Sequence, residues 1–236
     1  MSTVSNKKIS IIIPIFNQAD KIENCLKSIY NQSYNNYEVI MINDGSTDGV
    51  ELKIENLPFR FKSFKFFSQK NQGANVARNC GFKEASGDYL LFCDADITME
   101  SGMLESMITV LEMNSQISYV YSSFYWGNKL FRLFEFDSDK LKKMPFIHTT
   151  SLIRKEKFPG FNIQLKRLQD WDLWLTMLEQ GSVGAWIDKP LFRVETGGTM
   201  SNWLPSFAYK LFPFLPSVKK YNRAVETIKE KHCLNK

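Results

Sequence analysis

Apolar residues recur along this chain in two alternating rhythms. Ile9-Ser10-Ile11-Ile12-Ile13 is nearly continuous, as expected of a strand buried on both faces. Ile22, Cys25, Leu26 and Ile29 then fall at i, i+3, i+4 and i+7, one stripe of a helix. Glu38–Ile42 predicts a second strand and Lys62–Phe67 a third. Gly73–Ala85 predicts a helix with Gly87 beyond it, and Tyr89–Cys93 a fourth strand. Ser101 stands as the N-cap of a helix over Met103–Met113. This alternation predicts an α/β fold, a mostly parallel sheet covered by helices on both faces. After Ile117 the rhythm becomes irregular. Strands are expected near Tyr119–Tyr125 and Phe146–Ile153, a helix from about Asp170 to Gln180 stopped by Gly181, and a last strand near Val183–Ile187.

Composition changes this picture little. The 44% hydrophobic and 14% aromatic content excludes a disordered chain, and 236 residues without a repeat or low-complexity linker suit one main domain. The four cysteines form no C-x-x-C pair. Cys25 and Cys93 lie inside apolar patterns, as small core residues of a reducing compartment would. Lys7-Lys8 followed by Ile9–Phe16 is too short for a signal peptide and lacks a cleavage site. No run approaches the roughly 18 apolar residues of a membrane span, so a cytoplasmic chain is expected.

Charge divides the chain more sharply. The net +5 lies entirely beyond Gly197, where Lys210, Lys219, Lys220, Arg223, Lys229, Lys231 and Lys236 face only Glu226 and Glu230. Trp203, Phe207, Tyr209, Phe212 and Phe214 are interleaved there. Residues 1–200 thus read as the main domain and 201–236 as a basic, aromatic tail. Such a tail either packs on the domain or lies peripherally at an anionic membrane surface, where each cation is worth about 1 kcal/mol. The balanced body argues against nucleic acid as a partner.

The candidate chemistry sits where predicted strands end. Asp94-Ala95-Asp96 follows the apolar run Tyr89–Cys93, and ligands of open α/β sheets bind at that carboxyl edge. Two carboxylates one residue apart suit a divalent cation, magnesium or manganese, together with polar groups of a phosphate-bearing ligand. The first strand exits into Pro14-Ile15-Phe16-Asn17 and the second into Asn43-Asp44-Gly45-Ser46. Asp44 can accept from a ribose hydroxyl or a base N–H. Gly73 opens the next helix, whose free N–H groups and Arg78 suit phosphate or base. No Gly-Lys-Ser/Thr follows, so this is not a P-loop.

In this order the motifs closely resemble glycosyltransferase family 2: Ile11-Ile12-Ile13-Pro14-Ile15-Phe16-Asn17, Asn43-Asp44-Gly45-Ser46-Thr47-Asp48, Gly73 through Gly81, Asp94-Ala95-Asp96, then Gly160-Phe161 and Gln169-Asp170-Trp171-Asp172-Leu173-Trp174-Leu175. The resemblance covers roughly residues 8–200. It implies the GT-A fold, a nucleoside-diphosphate sugar donor with UDP favoured, a divalent metal, and inversion at the anomeric carbon. Pro14, Phe16, Asn17, Asp44, Gly73, Arg78, Asp94 and Ala95 would then bind the donor, with Asp94 toward the ribose and Asp96 on the metal.

An attacking acceptor hydroxyl must lose a proton, which calls for a carboxylate base on the far side of the sugar. Asp170 is assigned that role. Trp171, Trp174, Leu175 and Leu178 form the apolar stripe of its helix, while Asp172, Thr176 and Glu179 form the polar one, so Asp172 reads as solvated. Trp171 and His148 are acceptor-site candidates. Two departures stand out. Gln169-Asp170 replaces the usual Glu-Asp, and Arg193-Val194-Glu195 replaces a common Arg-x-His, which makes Glu195 a candidate second metal ligand. The Gln-x-x-Arg-Trp signature of processive synthases is absent. The expected activity is single-sugar addition to a glycan or lipid-linked glycan, as in surface polysaccharide or lipopolysaccharide synthesis. The alternatives are a nucleotide-sugar-binding protein that has lost turnover, and more remotely a sugar nucleotidyltransferase, whose Gly-rich loop is missing.

Overall fold

A computed structural model describes residues 6–196 and 215–234. One mixed sheet of nine strands organises the chain. Its first half is parallel: β3 (Phe64–Ser68), β2 (Tyr37–Asn43), β1 (Ile9–Ile15) and β4 (Tyr89–Phe92) lie side by side in that order. Every residue of β1 and β4 is buried, as their unbroken apolar runs require. Helices α1 (Ile22–Tyr30), α2 (Val50–Glu55), α3 (Ala74–Glu84) and α4 (Met103–Met113) follow successive strands. Helix α3 comes unusually close to the sheet. A Cβ on Gly81 would sit 2.4 Å from Ile12 Cγ2, so only glycine fits there. That approach carries Arg78, one turn earlier, down to the end of β4.

The second half is mixed. β8 (Leu152–Arg154) runs antiparallel to both β4 and β6 (Ile117–Trp126). β9 (Val183–Val194) runs parallel to β6, β5 (Ile97–Met99) pairs antiparallel with β9, and β7 (Lys129–Phe131) forms a hairpin on β6. Of the expected strand Phe146–Ile153, only its end is strand; residues 146–151 turn back on themselves, Thr150 N–H donating to His148 Nδ1 at 3.0 Å. Helix α4 is preceded by Gly102 with no side-chain cap, so Ser101 does not cap it.

Helices α5 (Ser138–Lys143) and α6 (Gln169–Glu179) pack beside one another, and α7 (Pro216–Lys231) buries Val218 and Ile228. α7 closes over a face of α6 that periodicity marks as polar. Asp172 is therefore not solvated. It is 3% exposed and bonded to Lys231 and His232 from the end of α7. The aromatic residues of the tail, from Trp203 to Phe214, lie outside the described residues. Among the described residues no helix is long and apolar enough to cross a membrane.

Candidate active site

The register brings the exits of β1, β2 and β4 to one rim. Ile15 lies opposite Asn43, and Cys93 N–H donates to Ile12 O at 2.9 Å. Pro14 shows how the rim opens. It is buried inside β1 and, like Ile12 two residues earlier, turns its backbone toward β4, whose ladder has already ended at Phe92. Its missing N–H therefore costs no sheet bond. Beyond it Phe16 is 39% exposed and Asn17 takes a left-handed turn at φ 51°. Asn17 ties two exits together: its N–H donates to Ser46 Oγ at 3.0 Å, and its Oδ1 accepts from Thr47 N–H at 2.8 Å.

Asp44 is 3% exposed and accepts three hydrogen bonds: from Gln69 Nε2 at 2.7 Å, Gln72 N–H at 2.9 Å and Gly73 N–H at 2.8 Å. It thereby pins the entry of α3 beside the exit of β2. Gly45, at φ 80°, allows this approach, since a Cβ there would lie 2.9 Å from Asn71 N. A carboxylate has about four acceptor sites, so one remains for an incoming donor.

Arg78 is the buried cation of the rim, 2% exposed. Its Nη2 donates to Asp94 Oδ1 at 2.6 Å, its Nη1 to Asn75 Oδ1 at 3.2 Å, and its guanidinium lies 5.3 Å over the Phe161 ring. Asn75 is in turn fixed by the carbonyls of Asn162 and Leu165. Asn75 and Phe161 thus set the angle at which Arg78 meets Asp94; neither carried a role on sequence, where only their neighbours looked chemical. Arg78 Nε, one of three orphaned side-chain donors among the described residues, is buried without a protein partner. Thr150 Oγ1, beside His148, is another.

Two residues on, Asp96 is half-buried. Burial first, then the charges of Asp94 and Glu195, push its carboxyl up to about 6 against the opposing pull of Lys21. Glu195 N–H donates to Asp96 O at 2.8 Å, and Asn24 Nδ2 holds Glu195 Oε1 at 3.3 Å. The chain end of β9 and the turn after β4 therefore meet, although 99 residues separate Asp96 from Glu195. Ala95 between the acids is fully buried and offers only backbone. Among the described residues no three His, Cys, Asp or Glu side chains group as a complete metal-ligand set. The donor set does fit a hard divalent cation, which completes its shell with water and phosphate oxygens.

His148 and Asp170 approach the same charges from the second half. Burial lowers His148 to about 4, with Asp94 and Arg78 within electrostatic reach. Its Nδ1 accepts from Thr150 N–H, so the neutral ring presents Nε2–H as a donor. Asp170, in the first turn of α6, is raised by burial, while Trp171 N–H and Arg78 pull the other way. Trp171 does not take the expected place at the acceptor site. It is 1% exposed and its Nε1–H donates to Leu141 O at 2.6 Å, so it packs between α5 and α6 and cannot floor a sugar site.

The family model for glycosyl transferase family 2 matches residues 10–161. An uncharacterized glycosyltransferase of Rickettsia felis is 27% identical over 220 residues, 86% of this chain and 35% of its own length. The cholesterol galactosyltransferase of Borreliella burgdorferi is 38% identical over 123 residues, 52% of this chain and 34% of its own length. The chain spans about a third of the length of these curated relatives. Among solved structures, the 1-349 fragment of S. aureus TarS in complex with UDP-GlcNAc superposes with a TM-score of 0.69 at 20% identity, covering 86% of this chain and 64% of that one. The mannosyltransferase PcManGT from Pyrobaculum calidifontis, in complex with GDP-Man and Mn2+, gives 0.63 at 19% identity, covering 84% and 59%. The architecture is the GT-A fold, and the chain belongs to glycosyl transferase family 2.

Proposed function

We propose that this chain transfers a single sugar, with inversion, from a nucleoside-diphosphate sugar to a hydroxyl of a glycan or lipid-linked glycan. The observation that carries the reading is the rim. Three parallel strands end along one edge and bring Asp44, the Arg78–Asp94 pair and Asp96 to it, with Asp170 and His148 reaching the charges of Asp94 and Arg78. UDP is favoured because one neighbour is TarS in complex with UDP and with UDP-GlcNAc. The curated relatives named glycosyltransferases support the reaction class.

Each residue then has a task. Phe16 offers a ring face to the base, and Asp44 its remaining lone pair to a base N–H or ribose hydroxyl. Asp94, fixed by Arg78, accepts from the ribose. Asp96, with Glu195, would hold a manganese or magnesium ion, in keeping with the Mn2+ in the PcManGT complex. Such an ion supplies Lewis-acid neutralisation of the departing diphosphate. The acceptor oxygen attacks the anomeric carbon from the face opposite the diphosphate, whose glycosidic C–O bond breaks. The acceptor's proton passes to the Asp170 carboxylate. Burial makes that carboxylate more basic than an exposed one, which favours its taking the proton. His148 Nε2–H would donate to a sugar or acceptor hydroxyl. The basic tail would bring the chain to an anionic membrane face.

Asp170→Asn tests the assignment. Turnover is expected to fall about 10²–10⁴-fold, with nucleotide affinity unchanged. Wild-type binding of nucleotide sugars without any turnover would instead favour a binding protein that has lost catalysis, as the changes at Gln169 and Glu195 also suggest.

A further inference from the structure

Asp170 and Asp172 lie about 200° apart on α6, so when one faces the rim the other faces away. The far face is where α7 ends. Asp172 and Glu179, two turns apart on one stripe of α6, both reach His232: Nε2 lies 2.8 Å from Asp172 Oδ1 and Nδ1 lies 2.7 Å from Glu179 Oε1. The His232 side chain is 1% exposed. Carboxylates only accept, so a ring engaging both must donate from both nitrogens and is an imidazolium. Lys231 adds a second cation, 2.5 Å from Asp172 Oδ1. Asp139, Lys142 and Lys143 of α5 line a groove with Cys233 and Leu234, the two residues that follow His232.

The entry of α6 needs holding. Leu168, just before it, adopts the left-handed conformation at φ 55°, ψ 30°, unfavourable for a branched side chain. Its carbonyl accepts from Asp172 N–H at 3.0 Å, so the bridged residue is the one that closes the first turn. On other faces Trp171 and Trp174 donate to the carbonyls of Leu141 and Ile147. The first turn of α6 is thus gripped by the α5 region and by the end of α7.

We propose that His232 is a positioning residue: by bridging Asp172 and Glu179 it locks the first turn of α6 and so fixes the environment of Asp170 across the helix. The functional consequence rests on the reading of Asp170 as the base. The grip is present while the ring is protonated. Burial lowers the His232 pKa, but the two carboxylates outweigh burial and raise it above the ordinary value. Stability from the bridge is complete below the unfolded-state value near 6.5 and is lost as pH rises through the raised folded value. Asp172 is lowered in the folded state, its burial outweighed by His232 and Lys231, so it stays charged throughout that window.

The test follows the Asp170 carboxyl carbon by NMR in full-length protein labelled at aspartate Cγ, with Asp170→Asn for assignment. In His232→Gln the Asp170 pKa is expected to fall by about one unit as the turn loosens toward solvent. Amide exchange in the first turn of α6 should accelerate at least about tenfold, with β1, β2 and β4 unchanged. In wild type, once the intrinsic base-catalysed rise in exchange is divided out, the same loss of protection should appear as pH rises through the His232 value, and not in the variant. Should His232→Gln fail to fold, Glu179→Gln removes only the half-exposed arm and should give the same changes at smaller size. A folded variant with unaltered Asp170 titration and unaltered α6 exchange overturns the proposal. So does exchange that rises uniformly over the whole molecule, which would mark a merely structural contact. Donor turnover measured in parallel keeps the two readings apart: a shifted Asp170 titration with normal turnover sustains the bridge and rejects Asp170 as the base.

Discussion

The two edges of the sheet treat buried acids in opposite ways. At the amino-end edge Glu38 is 1% exposed, and burial alone would raise its pKa. Ser86 N–H, the hydroxyls of Ser10 and Ser86, and the ammonium of Lys8 instead hold it at about 2, with Lys65 3.3 Å away. At the carboxyl-end rim Asp96 sits among Asp94 and Glu195 and rises to about 6, and Asp170 is raised as well. Burial is common to both edges. What differs is whether the chain supplies enough donors of its own. A carboxylate fully served by its own fold is a structural part, whereas acids gathered against one another are poised for a cation or a proton.

The largest break in this contrast should come from Arg78, the buried countercharge to Asp94. Arg78→Leu is expected to cost about 3–5 kcal/mol, by leaving Asp94 uncompensated; chemical denaturation with and without nucleotide reads this. Glu38→Gln should cost about 3 kcal/mol, the worth of its lowered pKa, yet leave nucleotide affinity unchanged. Wild-type Glu38 contributes that stability above about pH 4.5 and loses it as pH falls through about 2. The opposite sign is expected at Asp96. Its raised pKa means that stability present below about pH 4 is lost as pH rises through about 6. Asp96→Asn in chelator should therefore be more stable than wild type at pH 7.5 by about 1–2 kcal/mol after solvent screening, measurable as a higher Tm. The smallest effect belongs to Glu195→Gln, which should weaken manganese binding about tenfold, about 1.4 kcal/mol, with the fold intact.

The first half of the fold was legible because its central strands are buried on both faces, as the runs Ile9–Ile13 and Tyr89–Cys93 require, while the edge strand β3 is only partly buried. Its rim was legible for the same reason, since polar residues appear abruptly where those runs stop. The second half hid its structure in long-range contacts. Periodicity placed Asp172 on the polar stripe of α6 but carried no sign that α7, poor in large apolar residues, would cover that stripe. The apolar run Phe146–Ile153 fitted a strand, yet His148 and Thr150 bond locally and leave only three residues to pair. Trp171 and Trp174 looked alike in sequence, and both proved to be core tryptophans whose N–H groups meet carbonyls. Asn75 and Phe161 aim Arg78 through contacts that no local pattern announces.

The central claim is that the acids of the rim receive a nucleotide with a divalent cation. Calorimetric binding of UDP, GDP and dTDP, each with manganese and with chelator, to wild type and Asp96→Ala addresses it most directly. One nucleotide, UDP foremost, should bind wild type in manganese, more weakly by about tenfold or more in chelator, and lose its metal dependence in the variant. Binding of none of the three in either condition, or equal binding by wild type and Asp96→Ala, would contradict the account.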